Sequence, residues 1–262
     1  ALLKVGAADY VMTYDASDAA AKKVLLSALP PSLPRGYIDG CVISNGTDTT
    51  NDINIAAGVC RDSTNAVDIS VPAITGKQLD ANWAAGGSAG MRNSAAGITN
   101  TTYHIYAVRT AASATADIYA HTSTTVATVL TALQAETGGT DYIYARRIGS
   151  IVRASNTILL FTQTGNYFRL KTIPAPDIAT TTLSTTMTTS AISVPLGISV
   201  EANLHCYVSH ASSGRQVYIH HPSDTDMTPH DTNAPLSTAV GTAGGGATSA
   251  QVRVWTDTSA QI

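Results

Sequence analysis

Apolar and polar residues alternate with a period of two over several short stretches of this chain. Ile53 and Ile55 flank Asn54, and Val67, Ile69 and Val71 are separated by Asp68 and Ser70. Successive side chains of an extended chain point to opposite faces, so this spacing predicts antiparallel strands with one buried and one wet face. Thr102-Tyr103-His104-Ile105-Tyr106-Ala107-Val108-Arg109 is apolar or aromatic on both faces, as a central strand of a sandwich requires. Tyr37–Ser44 predicts a further strand. Asn45-Gly46 closes it, a dipeptide that favours tight turns, and Asp48–Asp52 extends the loop. Tyr142–Arg153 and Ile158–Gln163 form the last long strands of this block, joined at Ser155-Asn156. One stretch, Thr125–Ala135, has helical spacing instead, with Val126, Val129, Leu130 and Leu133 on one side and Gly138-Gly139 as its stop.

Prolines divide this pattern into three parts. Residues 1–35 form a short leading β-unit, in which Asp9–Tyr14 pairs back with Lys22–Leu26; the Ala19–Ala21 run permits a short helix as the alternative. Pro30-Pro31-Ser32-Leu33-Pro34 then makes a stiff extended connection. The central domain spans 36–171. Pro174 and Pro176 open the last part, 172–262, where the Thr-rich stretch Thr180–Thr189 favours extended chain. Its candidate strands are Ala191–Val194, Ser199–Ser209, Gln216–His220 and Gln251–Trp255. Many short strands separated by polar turns predict an all-β protein of antiparallel β-sandwich or jelly-roll-like modules. The start, Ala1-Leu2-Leu3-Lys4, lacks a Met, and Ala260-Gln261-Ile262 reads as a strand cut short. The natural chain is therefore expected to extend beyond one or both ends, with the last domain incomplete.

Composition narrows the function. Only 13% of the 262 residues are charged, and the net charge of −3 comes without any block of Lys or Arg. That excludes the electrostatic footprint of nucleic-acid binding. No apolar run is long enough for a membrane-spanning helix, so no membrane insertion is expected. The three cysteines, Cys41, Cys60 and Cys206, are an odd count for a disulfide framework. Cys41 and Cys60 read as small buried hydrophobes, with a bond between them as the alternative. A polar surface of low charge suits a chain packed into a larger assembly, although a secreted β-protein has the same composition.

Several segments resemble virion proteins of bacteriophages. Asp9-Tyr10-Val11-Met12-Thr13-Tyr14-Asp15-Ala16-Ser17 followed by Lys22-Lys23-Val24 resembles short β-units in the shafts and joints of phage tail fibres. Leu33–Gly40, Asn51–Gly58, Arg61-Asp62-Ser63, Asn100–His104, Arg146–Ile151 and Phe161–Phe168 resemble a domain of phage and prophage tail proteins. The resemblance spans roughly residues 5–170. It implies a tail fibre or other host-contacting appendage, a homotrimer, contacts with other virion proteins, and recognition of a host surface glycan or protein. The implied location is the virion, assembled in the host cytoplasm. It brings no catalytic residues and no cofactor. The rivals are a head fibre or capsid decoration protein, a secreted carbohydrate-binding β-sandwich, and a tail-associated hydrolase.

Chemistry is sparse in the sequence. Glutamate occurs only at Glu136 and Glu201, most aspartates sit in turn contexts, and no Gly-x-Ser-x-Gly elbow is present, so no enzyme is expected. The histidines concentrate toward the C-terminus at His205, His210, His220, His221 and His230. A hairpin of 199–209 with 216–220 would bring His210 and His220 together as candidate metal ligands; polar loop positions are the plainer explanation. Trp83 and Trp255 are the candidate aromatic platforms for a receptor or glycan, against the plainer expectation of core or subunit interface.

Overall fold

The computed structural model describes residues 33–93, 97–113, 116–172, 176–180, 183–211, 216–227, 230 and 246–262, together with the backbone of 10–15, 20–25 and 236–237. The chain is mostly β, with one helix among the described residues. The all-β expectation holds at that level. In the leading unit β1 (Tyr10–Asp15) and β2 (Ala20–Leu25) pair antiparallel from Tyr10↔Leu25 to Asp15↔Ala20. The helical alternative over Ala19–Ala21 is not taken up at the described positions. The proline-rich connection lies mostly outside the described residues.

The central domain begins with a departure from the expected pattern. Tyr37–Ser44 is not one strand but two, β3 (Ile38–Gly40) and β4 (Ile43–Asn45), which belong to different sheets. Gly40 (φ 69°) and Cys41 (φ 53°) turn the backbone left-handed between them. Gly58 makes the crossing possible, because a Cβ there would lie 2.3 Å from the Cys41 nitrogen and 2.4 Å from the Asp39 oxygen. β3 joins β6 (Gly58–Arg61) and β7 (Asp68–Val71), while β4 joins β5 (Asp52–Ile55), β8 (Ile74–Asn82) and β9 (Gly90–Arg92). Pairing is antiparallel except between β8 and β9.

A third sheet has the order β11-β10-β12-β13, from β10 (Thr102–Thr110), β11 (Ala116–His121), β12 (Tyr142–Ala154) and β13 (Thr157–Ile158). Tyr103, Ile105 and Ala107 of β10 face the large core, where they meet Ile43, Ile55, Cys60, Ile69 and Leu79 from the other two sheets. Tyr106 and Val108 face the opposite way. They pack under α1 (Val126–Gln134) with Tyr119, Val129, Leu133 and Trp83. This two-sided burial explains why the β10 sequence is apolar on both faces. Ser155 and Asn156, both at positive φ, make the tight turn between β12 and β13. β14 (Phe161–Thr164) and β15 (Tyr167–Leu170) close the domain as a hairpin, with Phe161 in the core.

The C-terminal unit is built around a ribbon of β16 (Glu201–His210) and β19 (Gly246–Trp255), in register from Glu201↔Trp255 to His210↔Gly246. The hairpin of 199–209 with 216–220 that would have joined His210 to His220 is therefore not formed. β17 (Gln216–Val217) pairs instead with β18 (Leu236–Ser237). Ala191–Val194 forms no full strand. It makes a bridge between Ala191 and Gln261, extended by reciprocal backbone bonds between Ser190 and Ile262. A small cluster of Ile192, Ala202 and Val254 with Leu204, Ile219 and Ile262 holds one end of the ribbon.

Candidate functional site

A cavity of about 300 Å³ opens beside β12, lined by Ser63, Tyr106, Thr124, Val126, Arg146, Arg147 and Ile198. The β10–β12 pairing slips between Ile105 and Tyr106, so Ile105 faces Gly149 while Tyr106 faces Arg147. That bulge re-aims the side chains of β12, as bulges beside functional sites do. Arg147 opposes Tyr106, whose hydroxyl donates to the Ser123 carbonyl at 2.9 Å. The Arg147 Nη1 is shut away from solvent and has no hydrogen-bond partner. Arg146 Nη2 donates to the Gly36 carbonyl at 3.1 Å. Thr124 and Val126 bracket Thr125, the N-cap residue of α1, whose side chain makes no capping bond.

The electrostatics of this corner are positive. His104, fully buried two positions before Tyr106, shares a 2.8 Å hydrogen bond with the Ser150 hydroxyl through Nδ1. Its Nε2 faces the Leu196–Gly197 backbone without a hydrogen bond of good geometry. Burial, reinforced by the nearby Arg147 charge, pushes the imidazole down to about 4, so it stays neutral at pH 7. Burial raises the Tyr106 phenol, and Arg147 works against that rise. Asp62, next to Ser63, is buried, which opposes its charge. The Thr64 hydroxyl and the N–H groups of Val67, Thr64 and Ala66 nevertheless hold its carboxyl below the usual range.

A second, larger cavity of about 420 Å³ lies over an ion pair and is bordered by Pro72, Ala73, Gly86, Asp117 and Tyr142. Lys77 Nζ sits 2.7 Å from Asp117 Oδ1, with the lysine side chain fully buried and the aspartate nearly so. The ammonium also donates to the Ala84 and Gly86 carbonyls at 2.6 and 2.9 Å. Asp117 accepts from the Gly86 and Ile118 N–H groups. Burial lowers the Lys77 amine from its usual range, and Asp117 opposes that fall. Every polar atom of the pair has a partner, so it ties the 84–86 loop to β8 and β11 and leaves no reactive group toward the cavity.

The residues singled out from the sequence fall in different places. Trp83 is 4% exposed, stacks edge-on with Tyr142 at 5.2 Å and donates its indole N–H to the Ile118 carbonyl; it belongs to the core. Trp255 is 58% exposed at the end of β19, on the same ribbon face as Tyr207 at 68%. His210 ends β16 opposite Gly246. His220 packs on Tyr218 and lies in a turn where His221 and Asp224 bond to each other. The pairing that would bring His210 and His220 together is not made, and no group of three potential ligands forms among the described residues. His205 and Cys206 lie on opposite ribbon faces, as neighbours in a strand must. Cys41 and Cys60 are buried in the large core, and all three cysteines are free thiols.

Arg147 was not marked as a candidate by the sequence. Two adjacent arginines in a strand read as one wet and one buried-edge position, and only the bulge and the packing of α1 reveal the cavity. No family model, curated protein or solved structure matches the chain.

Proposed function

We propose that the chain is a structural protein of a bacteriophage virion, a tail fibre or similar host-contacting appendage, that works by adhesion as a homotrimer. The observation that carries this reading is the β16–β19 ribbon. It is a two-stranded sheet in which each ten-residue strand has one edge unpaired among the described residues. Isolated two-stranded ribbons are marginal in water, and long free edges are templates for pairing with another chain. Copies of the same chain set side by side satisfy those edges, and closed symmetry limits the association. Exposed Tyr207 and Trp255 on the outer face suit contacts at such an interface or with a cell-surface receptor. Central sheets that share one core support the stiffness an appendage needs. Several weak contacts from identical chains then multiply through avidity.

A head fibre or capsid decoration protein is the second reading, because the same free edges serve attachment to a capsid. Antibody-gold labelling of intact particles separates the two. Label at distal tail appendages is the expected result, label over the capsid favours the second reading, and virions without the protein in any fraction contradict both.

A further inference from the structure

We propose that Lys77 and Asp117 condense to an amide, a covalent cross-link that the folded chain forms by itself between β8 and β11. Lys77 Nζ lies 2.7 Å from Asp117 Oδ1, so the carboxyl carbon is one bond beyond an atom already in contact. The lysine side chain has no exposure and the aspartate side chain 6%. The Ala84 and Gly86 carbonyls take two of the three ammonium N–H groups, which leaves the third for Asp117. When that proton passes to the carboxylate, the lone pair it uncovers on nitrogen points at the carboxyl group.

The surroundings favour both the proton transfer and the attack that follows it. Two charges taken out of water are costly, and a neutral amine beside a neutral acid is less so. Trp83 lies over the nitrogen, its ring centre 5.9 Å away, and Tyr142 packs edge-on against Trp83. Burial itself loosens the amine's hold on its proton. The Gly86 N–H donates to Asp117 Oδ2 at 2.6 Å, where negative charge gathers as nitrogen adds to the carbon. Groups held in contact react as though at effective concentrations of about 10⁵–10⁸ M. The step is a dehydration. A bond forms between Lys77 Nζ and the Asp117 carboxyl carbon, and the bond from that carbon to Oδ1 breaks. Oδ1 leaves as water with two hydrogens of the ammonium, and the third stays on nitrogen as the amide N–H. No oxidant or reductant takes part. The cavity bordered by Asp117 gives the water its way out. The product ties the sheet of β8 to the sheet of β11, and the chemistry is independent of whether the chain is carried on a virion.

The test is mass spectrometry of the whole purified chain under denaturing conditions. The expected mass is one water below that of the sequence. Trypsin should leave residues 62–92 uncut at Lys77 and joined to residues 110–146, the stretch that carries Asp117. Lys77→Arg keeps the positive charge but lacks the amine nucleophile, and Asp117→Ala lacks the carboxyl. Both variants should have their full sequence mass and release the two stretches unjoined. A wild-type chain of full sequence mass that trypsin cuts at Lys77 overturns the proposal, and this reading needs no variant to fold. A loss of water that persists in either variant, or that maps to another pair of residues, overturns it as well.

Discussion

Strand β10 in the central domain and β16 in the C-terminal unit are of similar length, and they are held in opposite ways. From Thr102 to Val108 every residue of β10 is buried, with one face in the large core and the other beneath α1. On β16 only Ala202 is fully buried, and burial fades along the inner face through Leu204, Cys206 and Val208. β10 has a hydrogen-bonded neighbour on each side, β11 and β12, whereas among the described residues β16 has β19 alone. The central domain thus satisfies its backbone and its apolar faces from within the chain. Among the described residues the ribbon has both edges unpaired and its inner face only partly covered. A strand of alternating residues folds against whatever covers it, and in the C-terminal unit the described residues supply little cover.

That contrast is most sharply broken at the buried ion pair. Lys77→Met strands the Asp117 carboxylate in the core and should cost the central domain about 3–5 kcal/mol in denaturant unfolding, as removal of one partner of a buried pair does. The ribbon should respond only through global unfolding. A cost below about 1 kcal/mol would show that water reaches Asp117 from the cavity above it. Ile105→Ala, at a site with no exposure and neighbours on three sheets, should follow at about 4 kcal/mol.

Acid sharpens the same comparison. The folded pKa of His104 is depressed by burial to about 4 from the ordinary 6.5, so the unfolded chain binds more protons between those values. Stability is therefore fully present above about pH 6.5, falls as the pH drops through this window, and levels off below pH 4, for a loss of about 3 kcal/mol. His121, also depressed by burial, acts in the same direction. Thermal unfolding from pH 7 to pH 4 reads the slope, and His104→Asn should flatten most of it. The smallest effect belongs to the ribbon. Val254→Ala trims the small cluster at one end and should cost about 1 kcal/mol, against the larger value at Ile105. Equal costs at the two sites would erase the distinction between a self-sufficient core and an incomplete one.

Much of the central domain was legible in the sequence because its signals are local. Period-two alternation marked β5 and β7, the run from Thr102 marked β10, and Ser155-Asn156 marked a turn that the positive φ values bear out. Helical spacing and the glycines after it located α1 within a residue at each end. The break at Gly40-Cys41 was hidden, because a chain that crosses from one sheet to another keeps its alternation on both sides. The partner of β16 was hidden for a different reason. Alternation says which face is buried but not which distant strand lies alongside, and β19 competes with the nearer 216–220 segment only through packing. The site was least legible. Trp83 could be read as core, interface or platform, because Gly-rich neighbours are compatible with each, and nothing near Lys77 or Arg147 in the sequence announces that either is enclosed.

The claim that the ribbon is completed by copies of the chain is tested most directly by sedimentation equilibrium of the whole chain at micromolar concentration. The account predicts a species three times the 27.0 kDa of one chain, with amide exchange at β16 and β19 as slow as at β10. A single 27.0 kDa species whose ribbon amides are nonetheless protected like those of β10 would contradict it, because the ribbon would then be complete without a partner.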